Sequence, residues 1–196
     1  AAMVKAIEDI EARSGAEVVI SVRARSRSYL DVDLALAVAV AVVTLGIHVF
    51  APWPVAHWAL FVDPVALGLV AGLLSWTIGG IRRLLTPAAV MDAAVAEAAH
   101  ATFFERGVRK TRERVGILIF VSQLERRAVL VVDDGCQVAT KHEAWAAAEA
   151  EIHRVVGVGR DGLALARAIT RLGDALAPMV TRSEDDVDEL PNEVIG

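Results

Sequence analysis

Two adjacent carboxylates, Asp133 and Asp134, are the residues in this sequence best suited to do chemistry. They follow the apolar run 128–132, which predicts a buried strand, and they precede Gly135, which permits a tight turn. Carboxylate oxygens are the hard ligands that calcium and magnesium prefer. We therefore consider Asp133 and Asp134 candidate ligands of a divalent cation, with Glu125 as a third if the fold brings it close. The alternative is that the Asp-Gly pair simply makes a turn.

The other reactive residue types form no recognisable catalytic set. Ser122 has no Gly-x-Ser-x-Gly elbow around it, so a strand-end serine that bonds the turn is the simpler interpretation. The five histidines lack metal-binding spacing, although His48 lies in an apolar segment, where an ionisable residue is a functional hypothesis by default. The single cysteine, Cys136, excludes an internal disulfide and any site built from several cysteines. This pattern favours a protein that is not an enzyme.

A basic run forms a second candidate site. Arg109, Lys110, Arg112 and Arg114 could dock to anionic lipid headgroups, with each residue contributing about 1 kcal/mol near a membrane surface. The alternative is a solvated loop, because two glutamates dilute the cluster. With a net charge of −5 the whole chain leans acidic, which argues against nucleic-acid binding.

The elements that must position these residues indicate a small α/β domain. Two β-branched runs, 117–122 and 128–132, are separated by a short polar connection and predict an antiparallel hairpin. Neither run alternates apolar with polar residues, so helices are expected to cover both faces of the sheet. The order of elements predicts a small mixed β-sheet flanked by helices, with its first two strands parallel. The other predicted elements are helices over 4–13, 87–107, 142–156 and 161–176 and a strand over 17–24.

The composition is too apolar for an α/β domain alone, at 55% hydrophobic residues and a mean hydropathy of +0.49. The excess lies between Leu34 and Gly80, where no Lys, Arg or Glu occurs. Two apolar stretches, 34–50 and 59–80, have roughly 17 and 22 residues, near or above the length that crosses a bilayer core of about 30 Å. The rest of the chain is too small to cover two helices that are hydrophobic on all sides. We therefore predict a transmembrane helical hairpin.

Positive charge flanks the open end of this predicted transmembrane hairpin, where the chain enters and leaves it. Three arginines between residues 23 and 27 precede the first apolar stretch, and Arg82 and Arg83 follow the second. The loop between the two stretches carries neither Lys nor Arg. Because cytoplasmic loops carry an excess of these residues, both ends of the chain are predicted to face the cytoplasm at the plasma membrane.

The hairpin interrupts the α/β domain between its first strand and the next helix. Such an insertion is tolerable because a hairpin returns the chain close to where it left. Gly68 and Gly72 have the small-xxx-small spacing that allows close helix packing, within the hairpin or between copies of the chain. The predicted divisions are 1–31 and 84–182 for the two parts of the domain, 32–83 for the transmembrane hairpin, and 183–196 for an acidic, solvated tail.

Several motifs in the predicted β-hairpin and near both ends of the sequence match a known pattern: Thr111, Val115-Gly116-Ile117-Leu118-Ile119, Ser122, Glu125-Arg126, Asp134-Gly135, Gly15-Ala16-Glu17-Val18-Val19 and Glu189-Leu190-Pro191-Asn192. These motifs resemble the TPM domain family, which is named for a thylakoid lumen phosphatase, a photosystem repair protein and an acetylcholine-receptor auxiliary subunit. The sequence is most similar to the bacterial branch of membrane proteins with this domain, over most of the chain. The resemblance implies the same small mixed sheet flanked by helices. Some TPM domains bind a divalent metal through acidic residues in this region, and Asp134 is similar to that family position.

Two functional hypotheses from different classes stay open. The first is a membrane-anchored, non-enzymatic TPM domain that binds a partner protein, or a divalent ion such as calcium or magnesium, in the assembly or maintenance of a membrane complex. The second is a metal-dependent phosphatase at the membrane surface. It would hold a metal at Asp133 or Asp134 with Glu125, and use Arg126 or Arg127 as an electrostatic partner.

Overall fold

The computed structural model describes residues 2–111, 113–159, 161–178 and 194–195. The chain divides into an α/β unit, Ala1–Ser26 with Asp92–Gly196, and a helical unit, Arg27–Met91. The elements in chain order are α1 (Ala2–Arg13), β1 (Glu17–Arg23), α2 (Leu30–Val49), α3 (Ala59–Thr77), α4 (Gly79–Leu85), α5 (Ala88–Glu105), β2 (Gly116–Ser122), β3 (Arg127–Val132), α6 (Glu143–Val158), α7 (Gly162–Leu176) and β4 (Val194–Ile195).

The sheet has the strand order β3-β2-β1-β4. Strand β1 runs parallel to β2, with Glu17 opposite Gly116, and β3 runs antiparallel to β2, with Ile117 opposite Val132. The predicted β-hairpin, formed by β2 and β3, and the predicted parallel pairing of the first two strands are therefore confirmed. The short strand β4 pairs in parallel with β1 through Ile20 and was not predicted. The acidic residues 184–189 of the predicted tail lie outside the described residues.

Helices pack on both faces of the sheet. On one face, apolar residues of α1, α6 and α7 surround the side chains of Val18, Ile117 and Ile119. On the other face, α5 packs Val95 and Phe103 against side chains of all three longer strands. This arrangement confirms the prediction from the unbroken apolar runs, and the two faces explain why neither run alternates.

Two long helices dominate the helical unit. Helices α2 and α3 are long and apolar enough to cross a membrane. Helix α2 begins at Leu30, four residues before the predicted apolar stretch, and takes Asp31 and Asp33 into its first turn. Carboxylates are favourable there because the first turn exposes unpaired backbone N–H groups. Helix α3 ends at Thr77, and Gly79 starts the separate short helix α4.

Candidate functional site

The loop after β3 brings Asp133 and Asp134 together, and it joins both of them to Arg114. The Arg114 guanidinium lies 3.2 Å from Asp133 Oδ1 and 2.8 Å from Asp134 Oδ2. The Asp133 side chain is 5% exposed, whereas that of Asp134 is 63% exposed. Asp133 Oδ1 also accepts a hydrogen bond from the Asp134 backbone N–H, and Asp133 Oδ2 is buried without a hydrogen-bond partner among the described residues. The Arg114 guanidinium thus bridges the carboxylates of the two candidate metal ligands.

Backbone contacts hold this loop in place. The Gly135 N–H donates to the Arg114 carbonyl oxygen at 2.8 Å. A Cβ atom at position 135 would lie 2.5 Å from the Glu113 carbonyl oxygen and 2.7 Å from that of Arg114, so only glycine fits. Arg114 itself adopts a left-handed backbone with φ of 55°, which is uncommon for a residue with a side chain. The Asp-Gly pair therefore makes a close backbone approach as well as a turn.

Cys136 follows in the same loop and is fully buried. Its thiol donates to the Val115 carbonyl oxygen at 3.3 Å. Burial, together with the nearby Asp133 carboxylate, raises the pKa of the Cys136 thiol to about 12. Because the thiolate is the reactive form, Cys136 is a structural residue rather than a nucleophile.

Glu125 lies at the opposite end of β3 from the aspartates. Its Oε1 accepts from the Ser26 backbone N–H at 2.9 Å, and its Oε2 accepts from the Ser122 hydroxyl. The prediction that Ser122 bonds the turn is therefore confirmed. The six residues of β3 span about 20 Å, so the fold does not bring Glu125 to Asp133 or Asp134. No group of three or more His, Cys, Asp or Glu side chains in the described part of the chain could hold a metal ion.

The basic run before β2 is divided among different contacts. Arg114 pairs with the two aspartates, and the Arg109 guanidinium lies over the Phe104 ring, 5.3 Å from its centroid. Lys110 is exposed beside Gly107, and Arg112 lies outside the described residues. Only Arg109 and Lys110 of the described members could thus meet a lipid headgroup without giving up an ion pair.

A groove at the edge of the sheet has no counterpart in the sequence predictions. It has a volume of about 480 Å³ and lies beside β3, between α5 and α6. Arg127 in this groove pairs with Asp92 of α5 at 2.6 Å, while Arg126 is exposed in a left-handed turn. The lining residues are Asp92, Val95, Ala96, Arg126, Arg127, Ala128, Val129, His153 and Gly157.

The helical unit holds a buried ion pair that sequence reasoning missed. The Arg82 Nε donates to Asp33 Oδ1 at 2.9 Å, and both residues are 5% exposed. The Ser75 hydroxyl donates to the same carboxylate at 2.7 Å. A second pair joins His48 Nε2 and Asp63 Oδ2 at 3.2 Å. The only sequence signal was the presence of ionisable residues in or next to apolar helices, where such groups seek partners.

Small residues hold α2 and α3 close together. A Cβ atom at Gly68 would lie 2.7 Å from the Ala37 carbonyl oxygen, and one at Gly72 would lie 3.2 Å from the Ala37 Cβ. The predicted small-residue spacing is therefore used within the hairpin. Contact of backbones at this distance is typical of helix pairs in membranes.

Comparisons with known proteins give the fold. No family model matches the chain. No curated protein is significantly similar to it. Its structure is similar to the NMR structure of the BA42 protein from the psychrophilic bacterium Bizionia argentinensis, with a TM-score of 0.58 and 18% sequence identity over 99% of this chain and 89% of that chain. At this identity the likeness supports a mixed α/β fold with a small mixed sheet and carries no information on function.

Proposed function

We propose that this chain is a TPM-like domain anchored in the plasma membrane by α2 and α3, with both chain ends in the cytoplasm. In this proposal the α/β unit binds another protein chain and serves the assembly or maintenance of a membrane complex, without catalysis of its own.

The observation that carries the proposal is the outward-facing apolar surface of α2 and α3. Only 11% of the apolar 18-residue segment of α2 is buried, and only 22% of the corresponding segment of α3. Large side chains such as Phe61, Leu69 and Trp76 are more than half exposed. A helix of a soluble domain shows an apolar stripe toward the core and a polar face toward water. Helices that are apolar on all sides are stable when lipid covers them.

The interior of the hairpin supports the same proposal. Asp33, Ser75 and Arg82 satisfy one another's polar groups. In a bilayer, ionisable side chains are tolerated when they face a protein interior and pair there. The close approach at Gly68 provides the van der Waals contact that holds helices together where the hydrophobic effect cannot.

The candidate metal residues do not fit a divalent cation as they stand. Calcium takes 6–8 oxygen ligands, and a positively charged side chain at those oxygens repels the ion. Asp133 and Asp134 both face the Arg114 guanidinium, and Glu125 is bonded to Ser26 and Ser122 at the far end of β3. The phosphatase hypothesis needs these groups in one place, so the arrangement favours the non-catalytic proposal.

Cysteine labelling in intact cells tests the membrane proposal. The His57→Cys variant places a thiol in the α2–α3 loop, and the Ala147→Cys variant places one on the exposed side of α6. We expect a membrane-impermeant maleimide to label position 57 in intact cells and position 147 only after permeabilisation. The wild type is the control, because buried Cys136 should not react in the folded protein.

The opposite labelling pattern would overturn the proposed orientation. Release of the wild type from membranes by alkaline carbonate would overturn the membrane anchor itself, since an integral hairpin resists this extraction.

A further inference from the structure

Strand β3 forms one edge of the sheet. At the other edge, β4 pairs with β1, whereas β2 is the only described strand that pairs with β3. The groove of about 480 Å³ beside Ala128 and Val129 shows that α5 and α6 leave room along this edge. Four of the six residues of β3, Arg127, Val129, Leu130 and Val132, are only partly buried.

The register tells which backbone groups point away from the sheet. The Asp133 N–H donates to the Gly116 carbonyl oxygen, so positions 133, 131, 129 and 127 exchange hydrogen bonds with β2. The N–H and C=O groups of Ala128, Leu130 and Val132 therefore point outward. Natural edge strands are usually guarded by a lysine, a proline or a bulge. The five residues 128–132 are all apolar and contain neither lysine nor proline, the register with β2 has no bulge, and the charge of Arg127 precedes them.

The charges around this apolar run are arranged symmetrically with opposite sign. Arg126 and Arg127 precede the run, Asp133 and Asp134 follow it, and Leu130 lies at the centre. Suppose that a second copy of β3 pairs antiparallel about Leu130. A residue a given number of positions before Leu130 then faces the partner residue the same number of positions after it. Arg127 then lies opposite the partner's Asp133 at the end of the ladder. Arg126, in the turn before β3, lies near the partner's Asp134, which begins the turn after β3.

The hydrogen-bond pattern fits the same register. Ala128 would face the partner's Val132, and Leu130 would face the partner's Leu130. All of these positions have outward N–H and C=O groups, as an antiparallel ladder requires at hydrogen-bonded pairs. The outer pair, Arg126 with the partner's Asp134, matters more than the inner pair, because Arg127 already pairs with Asp92. Asp134 contacts Arg114 at 2.8 Å, but its side chain is 63% exposed, so its carboxylate can accept a second guanidinium from the exposed Arg126 of another copy.

We propose that β3 pairs antiparallel with β3 of a second copy of this chain about Leu130, which joins the two sheets in a two-fold symmetric dimer. Such a contact is self-complementary, because one patch supplies both the arginines and the aspartates. A peptide of uniform charge fits less well, since it would set like charges opposite one end of β3. The dimer contact lies in the α/β unit and does not depend on the membrane assignment.

A charge-swap cycle on the full chain in detergent tests this contact. Arg126→Asp and Asp134→Arg each replace an attractive cross-strand pair with a repulsive one at both ends of the dimer. Each single change should raise the dimer dissociation constant about tenfold or more, measured by analytical ultracentrifugation. The double variant restores opposite charges in reversed order, so its dissociation constant should return toward that of the wild type. Arg106→Glu, an exposed charge reversal away from β3, is the matched control.

A backbone variant keeps the test independent of the charges. Leu130→Pro removes the outward N–H at the centre of the contact and leaves the β2–β3 ladder its hydrogen bonds, as proline does on edge strands. We expect a folded monomer at concentrations where the wild type is dimeric. In the wild type, hydrogen exchange at positions 128, 130 and 132 should slow as the concentration rises.

Several results would overturn the proposal. A monomeric wild type at all concentrations would do so, as would single variants that match Arg106→Glu, or a folded double variant that fails to regain the dimer. A monomer whose Leu130 amide is protected only by an added peptide of alternating valine and glutamate would assign the edge to a peptide partner instead.

Discussion

The two units of this chain expose different kinds of side chain. In the α/β unit, the central strand β2 places Ile117, Leu118 and Ile119 at 0% exposure. In the helical unit, Asp33 and Arg82 are buried, and residues such as Leu69 face outward at 68% exposure. The hydrophobic effect explains the first arrangement when water surrounds that unit. The second arrangement is stable when the surroundings are as apolar as leucine itself. The contrast agrees with the proposal that lipid covers the helices of the second unit.

The largest effect is expected from breaking the buried ion pair. Asp33→Asn leaves the Arg82 guanidinium buried without its counter-charge, which typically costs about 3–5 kcal/mol. Unfolding of the detergent-solubilised protein would measure the loss. The double variant Asp33→Leu/Arg82→Met should recover most of it, because no charge remains to be desolvated. A double variant as unstable as the single one would show that the pair does not act as a unit.

The next effect concerns the buried carboxylate of the α/β unit. Glu125→Ala leaves the Ser26 N–H and the Ser122 hydroxyl without their acceptor, at about 1–3 kcal/mol for each buried group. Urea unfolding should show this loss. Glu149→Ala on α6, where the side chain makes only a long contact with His153, is the control and should change stability little. Equal effects of the two changes would contradict the structural role of Glu125.

Helix contact in the helical unit can be tested with a matched pair of glycines. Gly68→Ala forces a Cβ atom to 2.7 Å from the Ala37 carbonyl oxygen, and such overpacking typically costs about 1–3 kcal/mol. Gly46→Ala in α2 meets no atom within 4 Å and should be neutral or stabilising by up to about 1 kcal/mol, as expected from helix propensity. A similar response of both variants to thermal unfolding would mean that α2 and α3 do not approach closely at Gly68.

A pH-dependent effect should appear in the α/β unit at Cys136. Burial raises the pKa of Cys136 to about 12 in the folded protein, above the value of about 8.5 expected in the unfolded chain. The neutral thiol therefore contributes stability in full below pH about 8.5, and this contribution declines as the pH rises toward about 12. In that window the wild type should lose up to about 1.4 kcal/mol per pH unit more than Cys136→Ser. Parallel pH profiles of the two proteins would contradict this expectation.

The smallest effect concerns metal affinity at the loop after β3. Arg114→Gln removes the guanidinium that faces Asp133 and Asp134, so millimolar calcium should stabilise this variant more than the wild type, by about 1 kcal/mol or less. Thermal unfolding with and without calcium measures the difference. The variant Arg114→Gln/Asp134→Asn is the control and should lose the response. Stronger calcium stabilisation of the wild type would show that Arg114 does not compete with the ion.

Local patterns were sufficient to predict most of the fold. The β2–β3 hairpin begins and ends within one residue of its predicted strands, and α1, α6 and α7 lie where the apolar periodicity indicates. These elements depend on residues that are neighbours in the sequence. The two-residue strand β4 was missed because so short a segment has no periodicity of its own.

The candidate site was predicted less well, because it depends on distances between residues that are far apart in the chain. Asp133 and Asp134 were identified from strand-end chemistry, but their contact with Arg114 was not. Glu125 is eight residues from Asp133 in sequence, yet a strand carries it to the other end of the sheet. A short separation in sequence is a poor guide once the chain is extended.

By itself, the sequence determined the element types, the apolar character of the two long helices and the charge order around β3, since these follow from residue type and spacing. Only the tertiary structure decided that β3 lies at an edge, that Asp33 meets Arg82 across 49 residues, and that Arg114 joins the two aspartates. The physical reason is that periodicity acts over neighbouring residues, whereas strand order and ion pairs follow from the packing of the whole unit.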